Sequence, residues 1–167
     1  MNKKVLAAGV AIGLVLGVFF GMATFKFAAP TMLFKEVQVN YSFEKTLDLL
    51  VHNINAQKGW QVVDVIDQQA AVIGYAPTMQ KVKIVKFCNP EYAAKMLSND
   101  DTKVMAVQMP LSIAVFERND GRVMLGLSNG YMMSRLFAGS ARGEIMQGVI
   151  KDMEQILSFI NFRYTIF

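Results

Sequence analysis

The sequence predicts an α+β fold, in which a single two-layer domain follows an apolar N-terminal helix. Three observations predict this class. Apolar residues alternate in several short segments, two other segments carry an apolar stripe at helical spacing, and an Asp-Gly pair joins two alternating segments. Consecutive strands joined by tight turns pair antiparallel, and amphipathic helices bury their stripes on the sheet. We therefore expect an antiparallel sheet with helices packed on one face.

The first element is an uncharged stretch of 21 residues, Val5 to Phe25. As a helix it would reach about 31 Å, which matches the hydrocarbon core of a bilayer. Glycine recurs at every fourth position and forms a strip without side chains, against which a second helix could pack closely: Gly9, Gly13, Gly17 and Gly21. This glycine strip predicts a transmembrane anchor that contacts another helix.

Domain organisation and location follow from the same stretch. Residues 1–29 are predicted to be the anchor with basic flanks, and residues 30–167 a single α+β domain. The basic residues before the stretch favour a cytoplasmic N-terminus in the inner membrane and a domain on the periplasmic or extracytoplasmic side. A cleaved signal peptide is the alternative, because Gly21-Met22-Ala23 places small residues where a signal peptidase cuts. The apolar run exceeds the usual signal-peptide core of about 7 to 15 residues, which favours a retained anchor.

Charge and cysteine content exclude two classes of protein. The net charge is +4, but three of the 17 basic residues flank the anchor (Lys3, Lys4 and Lys26), which leaves 14 basic against 13 acidic residues. A nearly neutral domain argues against nucleic acid as a partner, since such binding needs a net basic face. Cys88 is the only cysteine, so a disulfide-stapled module is excluded.

The first half of the domain is predicted to form a strand, a helix and a second strand. Phe34 to Asn40 alternates as a strand does, and Ser42 is a good N-cap for a helix that ends near Gly59. Trp60 to Ile66 is rich in β-branched residues and predicts a second strand. One interpretation of residues 68–79 is a short helix followed by a loop.

The second half of the domain reads as a sheet with a small inserted helix and a long final helix. We expect a strand over residues 80–87, a helix that begins at Asn89-Pro90-Glu91, and further strands over residues 103–108, 111–117 and 122–128. Asp120-Gly121 predicts the hairpin turn between the last two strands. An apolar stripe then keeps helical period over four turns: Ile145, Met146, Val149, Ile150, Met153, Ile156, Leu157 and Ile160.

Several of these residues resemble one known family. Lys86-Phe87-Cys88-Asn89-Pro90, then Ala93-Ala94, the later Pro110 and Asp120-Gly121 resemble domain-of-unknown-function family 302, as do Ser42 to Thr46 and Lys58-Gly59-Trp60. The resemblance covers roughly residues 35–160. It implies a TATA-binding-protein-like fold with a curved antiparallel sheet, and a tendency to form homodimers. The family has no established reaction, and many relatives carry a second cysteine where this chain has Leu111.

Candidate chemistry is sparse. Cys88 precedes a helix N-terminus, which can favour the thiolate, and it forms with Met109 the candidate site for a small molecule, haem or a sulfur species. The single histidine, His52, lies off the apolar stripe of its helix, so we expect it to be exposed, and alone it cannot form a zinc site. No catalytic or phosphate-binding motif is present. The sequence therefore predicts no catalytic residue, no metal and no cofactor.

Two apolar segments are candidates for partner contact. One follows Asn129-Gly130, and the other is the C-terminal tail, which alternates as a strand does and would extend a sheet edge. The residues concerned are Tyr131, Met132, Met133, Phe137, Tyr164 and Phe167.

The favoured function is a non-enzymatic, membrane-anchored interaction module. Its partners would be the lipid bilayer and either itself or other subunits of a membrane complex, with no nucleic acid. The alternative is a ligand-binding or redox-associated module around Cys88.

Overall fold

The chain forms two compact units, Met1–Leu33 and Phe34–Phe167, in a computed structural model of the protein. The structure describes residues 3–164, and for residues 5, 7, 8 and 26–32 it describes the backbone alone. The first unit contains one helix, α1 (Lys3–Leu33), which continues past residue 29.

The first unit corrects the predicted location of the protein. Across the described residues, no helix combines the length and the apolar character that a membrane crossing requires. This finding contradicts the predicted transmembrane anchor and inner-membrane localisation. The prediction relied on the absence of charge, whereas eight of the 21 residues from Val5 to Phe25 are glycine or alanine. These residues contribute little apolar surface.

The second unit is an α+β domain, as the sequence predicts. Its elements are β1 (Phe34–Val39), α2 (Phe43–Ala56), β2 (Gln61–Asp67), α3 (Gln68–Val72), β3 (Val82–Cys88), α4 (Pro90–Leu97), a 3₁₀ helix (Lys103–Gln108), β4 (Leu111–Glu117), β5 (Val123–Ser128), α5 (Gly130–Leu136), α6 (Ala141–Ile156) and a second 3₁₀ helix (Leu157–Ile160). The five strands form one sheet in the order β1-β5-β4-β3-β2. Every neighbouring pair is antiparallel.

Local signals place several element boundaries where the sequence predicts them. The Ser42 side chain accepts a hydrogen bond from the Lys45 amide at 3.3 Å and begins α2. The Asn89 side chain accepts from the Glu91 and Tyr92 amides at 3.0 and 3.4 Å and begins α4. Gly121 has a φ of 82° in the turn between β4 and β5, a conformation that glycine adopts without strain.

One hydrophobic core joins the sheet to α2 and α6. Alternate residues of β3, β4 and β5 pack against the apolar stripes of the two helices. The largest fully buried side chains are Phe43, Phe87, Leu50, Ile54, Ile113, Leu125, Ile156 and Leu157. Full burial of one such side chain stabilises the fold by about 1.5–3 kcal/mol. This packing fixes α6 and the ends of the central strands relative to one another.

Residues 103–108 form a 3₁₀ helix, not the predicted strand. Thr102 and Met105 are buried, whereas Val104 and Val107 are 65% and 81% exposed, so burial follows a spacing of three. The Thr102 hydroxyl donates hydrogen bonds to the carbonyls of Met96 and Asn99. These bonds hold the start of the 3₁₀ helix against the end of α4.

The C-terminal segment also differs from the prediction. Within the described residues, Phe162 to Tyr164 form no strand. Phe162 is buried, and its ring contacts that of Tyr164 edge-on at 4.8 Å. The tail therefore packs through its aromatic rings as far as residue 164. Residues 165–167 lie outside the described residues, and with them the predicted contact at Phe167.

Candidate functional site

A cavity of about 290 Å³ lies inside the α+β domain. Residues of α4, α5, α6 and the first 3₁₀ helix line it, together with the ends of β3, β4 and β5. Val107 and Gln108 of the 3₁₀ helix line the cavity and are themselves exposed, so they mark its rim. The deeper lining includes buried core residues, among them Phe87, Ile113 and Met153. The cavity thus reaches from the surface into the hydrophobic core.

Three aromatic rings form one part of the cavity wall. The ring centroid of Trp60 lies 5.5 Å from that of Phe87 and 6.0 Å from that of Tyr92. The Trp60 indole N–H donates a hydrogen bond of 2.9 Å to Asp152 Oδ2 on α6, and Gln57 donates to the other carboxylate oxygen. Asp152 therefore links the aromatic wall to α6.

A glycine allows Tyr92 to approach α6 closely. A Cβ atom at Gly148 would lie 2.7 Å from the Tyr92 hydroxyl oxygen, closer than real Cβ contacts. Burial raises the pKa of Tyr92, and the neighbouring Asp152 carboxylate raises it further. The Tyr92 phenol therefore keeps its proton to a higher pH than a free tyrosine does.

Thioether side chains form another large part of the lining. Six methionines line the cavity, half of the twelve in the sequence: Met96, Met105, Met109, Met133, Met146 and Met153. Methionine is unbranched and polarizable, so it fills irregular space and contacts aromatic rings favourably. A wall of this kind can adjust to apolar molecules of different shape.

Charge is nearly absent from the cavity. Lys86 is the only charged residue among those that the structure places in the lining. It lies on β3 between Val85 and Phe87, both of which are fully buried. Because successive side chains of a strand alternate between its two faces, the Lys86 ammonium points away from the core. Ser112 and Ser128 line the cavity too, but both are exposed.

Tyr164 brings a hydroxyl group to the cavity. Both Tyr164 and Gly130 line it, and a Cβ atom at Gly130 would lie 3.7 Å from the Tyr164 hydroxyl oxygen. The backbone N–H of Tyr164 donates a 2.7 Å hydrogen bond to Glu154, which holds the residue beside α6. Burial raises the pKa of the Tyr164 phenol well above its usual range, and the Glu154 charge adds to this.

The cavity brings together part of the predicted site. Cys88 and Met109, which are 21 positions apart in the sequence, both line it. Cys88 is a free, half-buried thiol. Two of the residues predicted for partner contact, Met133 and Tyr164, line the cavity as well.

The other predicted site residues lie elsewhere. Tyr131, Met132 and Phe137 are half-buried on or beside α5, and the Arg142 guanidinium stacks on the Phe137 ring at 5.4 Å. His52 is exposed on α2, as expected. A Cβ atom added at any glycine of the strip would meet nothing within 4 Å. In the part of the chain that the structure describes, no three His, Cys, Asp or Glu residues are grouped for a metal ion.

Comparison with known proteins identifies the family. The model of the family "Domain of unknown function DUF302" matches residues 35–160, which is most of the chain. The chain belongs to the DUF302 family. A DUF302 protein of known structure, an uncharacterized conserved protein from Bacillus stearothermophilus, has a similar fold, with a TM-score of 0.63 and 20% sequence identity. The likeness covers 75% of this DUF302 chain and 95% of that one. No curated protein matches the sequence.

No pattern in the sequence marks the aromatic wall of this DUF302 cavity or the Asp152 carboxylate that supports it. Trp60, Tyr92 and Asp152 are spread over 92 residues, and each residue considered alone is consistent with an ordinary structural role. Tyr164 was predicted for a sheet edge because its segment alternates. Only the packing of α4 and α6 beside the sheet brings these residues together.

Proposed function

We propose that this DUF302 chain is a non-enzymatic binding module that holds a small apolar molecule in the cavity of its α+β domain. The observation that carries the proposal is a cavity of about 290 Å³ with walls of aromatic rings and thioethers. Binding pockets for small molecules are typically concave, mostly apolar and few per protein.

The size of the cavity limits the ligand. An engineered cavity of about 150 Å³ with apolar walls holds benzene. The cavity of this chain is about 290 Å³, roughly twice that volume. A molecule of two fused six-membered rings therefore fits. The inward-facing walls carry no ionic group, so a neutral molecule is favoured over a charged one, which would lose its hydration without a partner.

Chemical transformation of the ligand has little support from the lining. Cys88 is the one nucleophilic thiol, and the chain's single histidine is exposed on α2, outside the lining. A nucleophile without a neighbouring base is weakly activated. Reversible binding is the function that the lining favours.

A cavity-filling variant tests the proposal against a matched control. Ala93 and Ala94 are neighbours on α4, but Ala93 lines the cavity and Ala94 is exposed outside it. Tetralin, a neutral two-ring hydrocarbon, is titrated into the purified full chain, with Trp60 fluorescence and calorimetry as readouts. We expect saturable binding to the wild type and to Ala94→Leu, and binding at least tenfold weaker to Ala93→Leu. If the wild type does not bind tetralin, or if both variants bind equally, the proposal is wrong.

A second candidate function is self-association of the chain through α1. The glycine strip lies open along this helix, and large apolar side chains are exposed around it, among them Val10, Leu14 and Phe20. Extensive exposed apolar surface marks interaction sites. A second copy of the chain is the favoured occupant, because two glycine strips complement each other in shape.

Sedimentation of the full chain tests this second candidate. Gly13→Ile with Gly17→Ile fills the strip, whereas Ala11→Ile with Ala23→Ile adds the same side chains off the strip. We expect only the glycine pair to shift the chain toward monomer. A chain that is monomeric without any substitution would contradict self-association, as would an equal effect of the two pairs.

A further inference from the structure

The Tyr164 hydroxyl is a polar group of the cavity that has no hydrogen-bond partner among the residues the structure describes. Within residues 3–164, the structure gives no hydrogen bond to this oxygen, and it contains no fully buried side-chain oxygen or nitrogen without a partner. The hydroxyl is therefore not sealed into the core. Gly130, beside which the hydroxyl lies, also lines the cavity, so the hydroxyl is at the cavity wall.

Several other polar groups of the cavity already have a partner or face away from it. The Trp60 indole N–H donates to Asp152, and Asn89 Oδ1 accepts the amide bonds that cap α4. The Tyr92 hydroxyl lies against α6, 2.7 Å from where a Cβ atom at Gly148 would be. Lys86 faces away from the core, as described above for β3. Tyr164 thus offers a bound molecule a hydroxyl group to which the described residues give no hydrogen bond.

We propose that the bound molecule carries a hydrogen-bond acceptor, such as a ring carbonyl oxygen, that the Tyr164 hydroxyl recognises. This inference rests on the proposed binding function and specifies its ligand class: a neutral, two-ring apolar molecule with one acceptor oxygen. The phenol donates at neutral pH because it keeps its proton there. One oriented donor in an apolar cavity selects among ligands of the same shape. A ligand without an acceptor leaves the donor unpaired after it has lost its hydrogen bond to water.

Tetralin and 1-tetralone are matched probes for this inference, because they share the two-ring skeleton and the ketone alone has an acceptor. The affinity for each probe is compared between variants and not between probes, because the ketone loses more hydration on binding than the hydrocarbon does. Tyr164→Phe removes the hydroxyl and keeps the ring. Tyr131→Phe is the control, because Tyr131 is half-buried but outside the lining. We expect Tyr164→Phe to weaken 1-tetralone binding about 3- to 10-fold and to leave tetralin binding unchanged.

The outcomes separate the inference from the function on which it rests. If the wild type binds neither probe, the proposed function is wrong. If it binds both, and Tyr164→Phe changes neither affinity or weakens both equally, the function stands and the recognition by Tyr164 is overturned. Infrared spectroscopy gives a readout that needs no variant. The carbonyl stretch of 1-tetralone bound to the wild type should lie below its value in hexane, and an unshifted band would overturn the inference.

Discussion

Asp152 on α6 accepts a 2.9 Å hydrogen bond from the indole of Trp60, 92 positions earlier in the chain. The bond joins the helix to the residue that precedes β2, across one end of the core. Trp60 is only 5% exposed, so water cannot readily replace the carboxylate as the partner of its N–H group. An unpaired buried donor is costly, which makes this contact a testable support of the cavity wall.

Asp152→Ala should lower the free energy of unfolding by about 1–3 kcal/mol, because it leaves the indole N–H unpaired. Asp152→Asn keeps an acceptor oxygen and should cost less. Denaturant titration followed by Trp60 fluorescence measures both variants. Asp48→Asn, at an exposed position on α2, is the control and should leave stability nearly unchanged. Equal stability of Asp152→Ala and the wild type would show that the bond contributes nothing.

Gly148→Ala should destabilise the domain by about 1–3 kcal/mol, because the added methyl group overlaps the Tyr92 hydroxyl. Gly74→Ala is the matched control, since a Cβ atom there meets nothing within 4 Å. Combining Gly148→Ala with Tyr92→Phe should restore part of the loss, as the oxygen atom in closest contact is then absent. Thermal unfolding of Gly148→Ala, Tyr92→Phe, their combination and the control measures this coupling, and strict additivity would contradict the proposed overlap.

Asn89→Ala should destabilise the domain by about 0.5–2 kcal/mol, because the α4 amides of Glu91 and Tyr92 lose their cap. Ser98→Ala is the control: Ser98 lies at the other end of α4, is exposed, and bonds only the preceding turn. Since α4 carries part of the cavity wall, tetralin affinity should fall with Asn89→Ala and not with Ser98→Ala. Unchanged stability after loss of the cap would be inconsistent with this role.

Alkaline pH should destabilise the domain through its buried phenols. The pKa of Tyr164 is raised in the folded state above its ordinary value of 10.0. Above about pH 10 the unfolded chain releases the phenolic proton and the folded chain keeps it, so stability falls as the pH rises. Tyr164→Phe should flatten this fall, and Tyr75→Phe, at a residue 95% exposed, should not. Denaturation at about pH 8 and about pH 11 compares them, and equal slopes would contradict the expectation.

Much of the fold is predictable from the sequence because its signals are local. Ser42 and Asn89 cap helices, and Asp120-Gly121 permits a tight turn, each within four residues of the feature that it sets. The strand predicted for residues 103–108 is wrong because Val104 and Val107 favour a strand by residue type. The Thr102 bonds to the end of α4, which the sequence does not reveal, hold a 3₁₀ helix there instead. The prediction of a membrane anchor weighed the lack of charge more heavily than the small residues.

The candidate site was predictable only in part. Cys88 and Met109 are unusual residues at recognisable element boundaries, and both line the cavity. The aromatic wall has no local pattern, because its geometry depends on Gly148 and Asp152 in a helix more than 50 positions beyond Tyr92. Contacts of that kind arise from tertiary packing, which the spacing of residues along the chain does not predict.

The thioether lining makes the cavity sensitive to peroxide. Oxidation of a methionine to its sulfoxide adds a strongly polar oxygen to the side chain, and sulfoxide reductases reverse the change. With six such side chains around one small volume, a single modified sulfur would introduce a dipole into a space otherwise suited to hydrocarbon. The proposed binding of apolar molecules would therefore depend on the redox state of the surroundings of the domain.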